Sequence, residues 1–90
     1  MLFLVAISLA ACATTPPVQE MSNARQTIAA AHEVQAEKFA PKLMAEAQRL
    51  MAEATKALDA GNYTAAKDFA VAAQQQAIKA RQLAISKQNN

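Results

Sequence analysis

Glycine, cysteine and histidine each occur once in these ninety residues, and tryptophan is absent. Each scarcity closes off a class of chemistry. One glycine, Gly61, cannot build the glycine-rich turn that cradles a phosphate. One cysteine, Cys12, cannot close an internal disulfide. His32-Glu33 opens like the helix motif of a zinc protease, but Ala36 stands where the second histidine belongs, so no zinc site or other metal site is expected. Nine basic against seven acidic residues leave a formal charge of +2. Both signs are interspersed and aromatics are few, a balance that excludes a nucleic-acid surface. Glu33 and Glu37 lie one helical turn apart and are expected to be solvated rather than paired for acid–base work. No catalytic constellation is present, and the expectation is a protein that is not an enzyme and holds no cofactor.

What the sequence does have is an apolar start. Residues 1–11, MLFLVAISLAA, carry no charge and fall short of the roughly 20 residues a membrane-spanning helix needs. They match the apolar region and small-residue cleavage site of a secretory signal. Leu9-Ala10-Ala11-Cys12 resembles the lipobox of bacterial lipoproteins. That resemblance implies cleavage between Ala11 and Cys12, a diacylglycerol thioether on the Cys12 sulfur and an acyl chain such as palmitate on the new amino group. Two or three chains anchor stably where one does not, at about 0.8 kcal/mol per buried methylene. Ala13 is not the aspartate of an inner-membrane retention signal, which favours the periplasmic face of the outer membrane. The missing Lys or Arg ahead of the apolar run implies a start upstream of Met1.

Alanine, the strongest helix former, dominates the remainder, so the fold class is all-α. Residues 12–21, with Thr14, Thr15, Pro16 and Pro17, read as a flexible tether, and residues 22–88 as an alanine-rich helical domain. Asn23 followed by Gln26 fits a capping box opening a first helix over about 23–39, with Ala24, Ile28, Ala31 and Gln35 on one side and Phe39 continuing it. Pro41 then interrupts, because the residue before a proline is pushed off helical angles. Over 41–60 a stripe of Leu43, Ala47, Leu50, Ala54 and Ala57 recurs, widened by Met44, Met51 and Leu58. The opposite face bears Lys42, Glu46, Arg49, Glu53 and Lys56, with Arg49 and Glu53 spaced to pair.

Gly61 stops that helix, Asn62 caps the next over 62–86, and Tyr63 packs on the turn. Ala66, Ala70, Ala73, Ala77, Ala80 and Ala84 then make a heptad of methyl groups. Folding back about Gly61 sets Leu58 near Ala65, Ala54 near Phe69, Leu50 near Ala73, Leu43 near Ala80 and Phe39 near Ala84. The result is a coiled-coil-like antiparallel hairpin with a preceding shorter helix, three helices in all. The last helix, longer than the middle one, is expected to run past Pro41 along the first.

LDAGNYTAAKDFAVAAQQQA, residues 58–77, resembles the turn and second helix of a single tetratricopeptide unit; an array needs at least three. The whole layout of lipobox, alanine-rich helix, Ala40-Pro41 step, Leu and Ala stripe, Gly61-Asn62-Tyr63 turn and alanine ladder resembles the bacterial lipoprotein family known as domain of unknown function 4398. Some members of that family continue into a peptidoglycan-binding domain, an activity not carried by these ninety residues, and the family lends no enzyme activity. The expected function is a lipid-anchored structural or adaptor module of the cell envelope that docks a partner protein or a second copy of itself. The alternative is a carrier of a small or peptidic ligand between walls of Phe39, Tyr63 and Phe69.

Overall fold

In the computed structural model, which describes residues 15–89, four helices follow one another: α1 (Val18–Glu33), α2 (Ala36–Phe39), α3 (Pro41–Asp59) and α4 (Tyr63–Asn89). No strand occurs among the described residues. None of these helices is long and apolar enough to cross a membrane.

The helix-forming pattern of α3 and α4 produces the hairpin directly. Every buried residue of α4 is an alanine: Ala66, Ala70, Ala73, Ala77, Ala80 and Ala84. The larger buried groups come from the helices opposite, Met44 and Leu50 of α3 and Met21 of α1. Two apolar clusters result. One joins Met21 and Ala24, Leu50 and Ala54, and Ala70 and Ala73, with Phe69, Met51 and Leu58 packed against it. The other joins Ala31, Ala36, Ala40, Met44, Ala80 and Ala84, with Phe39, Leu43, Ile28 and Val34 around it. Met21 and Met44 are the largest fully buried side chains, one in each cluster. Burying each contributes about 1.5–3 kcal/mol, against far less for an alanine methyl. These few large groups therefore carry the core.

The clusters also give the directions of the helices. Along α1, Met21 meets Ala70 and Ala31 meets Ala80, so α1 runs parallel to α4 and antiparallel to α3. The last helix thus runs along the first, as expected, and α1 packs beside α3 as well. Two breaks turn the chain. Gln35 adopts a left-handed conformation at φ 62°, ending α1 after Glu33. Ala40, at φ −141° and ψ 56°, is kept off helical angles by Pro41, which takes the first position of α3 where its missing N–H costs nothing. The expected helix over 23–39 is thus α1 and the one-turn α2.

The start of α1 also differs from expectation. The Pro17 carbonyl accepts from the Met21 N–H at 3.0 Å, making Pro17 the cap, and Met21 is only 2% exposed. Residues 18–21 belong to the packed helix and not to a tether. Asn23 consequently sits inside α1, where its Oδ1 accepts from Gln19 Nε2 and Gln26 donates to Ser22; no capping box forms. At the other end α4 continues to Asn89, past the expected 86.

Substitutions at the seam and at the α1–α2 break test this architecture by thermal unfolding. Ala73→Leu overpacks the seam and costs about 1–3 kcal/mol, lowering Tm by roughly 4–24 °C, while Leu at the exposed Ala45 changes stability by less than about 0.5 kcal/mol. Gln35→Gly relieves the left-handed strain and raises stability by up to about 1 kcal/mol, whereas the β-branched Gln35→Val lowers it.

Candidate functional site

No polar or charged residue is buried among the described residues. The chemistry of the bundle therefore lies on its surface and at its two ends. The turn end is built by α3 and α4. The Gly61 N–H donates to the Leu58 carbonyl at 3.0 Å and the Asn62 N–H to the Ala57 carbonyl at 2.8 Å, a Schellman stop that satisfies the last carbonyls of α3. It needs φ 77° at Gly61, and a Cβ there would meet nothing within 4 Å. Backbone angle alone selects glycine. Asn62 Oδ1 then accepts from the Ala65 N–H at 3.4 Å, capping α4. Tyr63 is half-buried and lines a hollow with Thr15, Pro16 and Pro17, so the chain enters the fold beside this turn.

The opposite end is built by the α1–α2 break, the start of α3 and the end of α4. His32 Nδ1 donates to Glu37 Oε2 at 2.7 Å across the break, a contact possible only because Gln35 turns the chain between them. Gln88 of α4 donates its side-chain Nε2 to the Val34 carbonyl, tying the end of α4 to the same break. Lys38 Nζ lies 5.2 Å from the centre of the Phe39 ring, within cation–π range. Ala40, Pro41, Leu43 and Leu83 form an apolar recess of about 270 Å³ edged by Lys42 and Lys87.

Of the residues singled out by sequence, Leu50, Ala54, Ala66, Ala73, Ala77 and Ala80 are buried, and Leu43, Leu58 and Phe69 are half-buried against the two clusters. Ala11 and Cys12 lie outside the described residues. Phe69 packs in the cluster of Leu50 and Ala73, and Phe39 in that of Ala80 and Ala84. Fifteen residues of α4 separate Phe69 from Ala84, about 22 Å of helix, and the aromatics expected to wall one ligand are not brought together. Arg49 pairs with Glu46 and not with Glu53: its Nη2 and Nε donate to the two carboxylate oxygens at 2.7 and 3.0 Å. Glu53 turns to Lys56 at 3.8 Å. These exposed pairs contribute little. The break at Gln35 and the recess beside Leu83 were missed by sequence reasoning, since a glutamine carries no signal for a left-handed turn and the recess joins residues distant along the chain.

Residues 19–90 match the family described as Domain of unknown function (DUF4398). No curated protein and no solved structure matches the chain.

The His32–Glu37 contact has a measurable titration. The Glu37 hydrogen bond and charge, aided by Glu33, raise His32 above 6.5, and the His32 hydrogen bond lowers Glu37 below 4.5. The His32 contribution is complete below 6.5 and lost as pH rises through its raised value. The Glu37 contribution is complete above 4.5 and lost as pH falls through its lowered value. The contact is therefore fullest between those limits. Proton NMR of the His32 ring should give a pKa above 6.5 that moves back toward 6.5 in Glu37→Gln; an unchanged value in that variant would remove Glu37 as the cause.

Proposed function

The chain belongs to the DUF4398 family, whose description assigns no activity, and from its own residues we propose a lipid-anchored adaptor of the bacterial cell envelope. Cys12 carries the lipid, residues 1–11 are the cleaved signal, and the bundle stands in the periplasm on the outer membrane as a protein-interaction module without catalysis. The observation that carries this reading is the position of the lipobox-like Leu9-Ala10-Ala11-Cys12 relative to the fold. Packed helix begins at Val18, so the entire bundle lies downstream of the cysteine. From Cys12 to Val18 the chain reaches at most about 22 Å, which holds the bundle close to its anchor. The separation of Phe39 from Phe69 favours an adaptor over a carrier that encloses a ligand, and the exposed Leu83 and Ile78 supply apolar surface for a partner.

Metabolic labelling with palmitate tests the anchor. The wild-type chain should incorporate label and fractionate with outer membrane, and Cys12→Ser should do neither; equal labelling of both would overturn the lipoprotein reading.

A further inference from the structure

The recess at the end away from Tyr63 has a composition unlike the rest of the surface. Leu83 is 38% exposed and forms its outer wall, with Leu43 and the buried Ala40 as floor and Pro41 at the side. A single exposed leucine is ordinary, but here it adjoins three other apolar residues in one concavity. The only charged residues on the rim are Lys42 and Lys87, and neither makes an ion pair among the described residues; of the acids of this end, Glu37 pairs with His32, Glu46 pairs with Arg49, and Glu33 lines a separate hollow with His32. Lysine stems extend such an apolar wall while their ammonium groups stand at its edge.

We infer that this recess docks an acidic amphipathic segment of a partner protein, one aliphatic or aromatic side chain seated between Leu43 and Leu83 and carboxylates set against Lys42 and Lys87. Charge complementarity names the occupant: an apolar anchor flanked by acids matches both the wall and the rim, and a basic segment would be repelled. Position favours a protein over a lipid surface. The chain enters the bundle beside Tyr63, and Leu83 lies twenty residues further along α4, about 30 Å from that end. With the anchor on Cys12, the recess lies at the end of the bundle remote from where the chain enters it. This last step rests on the lipoprotein reading, whereas the rim charges and apolar walls do not.

The test uses the full chain carrying Cys12→Ser, so that its outcome is independent of palmitate labelling. The probe is a fluorescein-labelled helical peptide with leucines at i, i+3 and i+7 flanked by glutamates, read by anisotropy beside a counterpart with lysine for glutamate. The acidic peptide should bind, should weaken with added salt, and should lose at least about tenfold in affinity with Lys42→Glu plus Lys87→Glu. Leu83→Gln, at a site already exposed, should weaken it comparably while circular dichroism stays that of the parent. Absence of binding, equal binding of the lysine peptide, or an affinity indifferent to these substitutions would overturn the proposal. Sedimentation with phosphatidylcholine vesicles containing phosphatidylglycerol is the second arm. Vesicle binding that depends on Lys42 and Lys87 would assign the recess to anionic lipid and overturn it as well.

Discussion

Close approach along one line of methyl groups is the constraint from which this structure follows. The fully buried residues of α4 are all alanines, with Phe69 half-buried at the edge of one cluster, and a seam of methyl groups admits the neighbouring helices deeply, so that larger groups opposite fill the remaining space at ordinary interior density. The same seam serves two helices. α3 brings Leu50 and Met44 to it, and α1 brings Met21. Without these three residues the alanines would have little to pack against, and without the alanines the three would have no room.

Among the described residues that core contains no polar side chain, and the charged groups stand at the surface. The two ends differ. At one, a glycine stop and an asparagine cap close the hairpin next to where the chain enters. At the other, two irregular residues, Gln35 and Ala40, reverse the chain, bringing His32 to Glu37 and, in a separate recess, Lys42 to Leu83 and Lys87. The proposed adaptor would be tethered at the first end and present the second.

Much of the hairpin was legible because its determinants are local or periodic. Gly61 has no neighbour that would reject a side chain, and its role follows from backbone angle alone. The seam from Ala66 to Ala84 and the stripe of Leu50 and Ala54 follow from helical periodicity, and a tight turn between them fixes their register. The exposed pairs were less legible. Arg49 reaches both Glu46 and Glu53 by spacing, and a bidentate geometry selects Glu46, a choice of rotamer that no periodicity encodes. Met21 looked like tether because it follows two prolines and precedes a capping pattern at Asn23, yet its burial depends on Leu50 and Ala70, far away in the chain.

By itself, then, the sequence determined the helices, the turn between α3 and α4, and the face each of these presents, since alanine propensity, a lone glycine and a repeating apolar stripe act within a few residues. Tertiary structure decided where α1 begins, where it breaks, and that it lies along both other helices. Those outcomes depend on burying Met21, Ala24 and Ala31 against residues distant in the chain, a gain large enough to hold Gln35 in a left-handed conformation that its own chemistry disfavours.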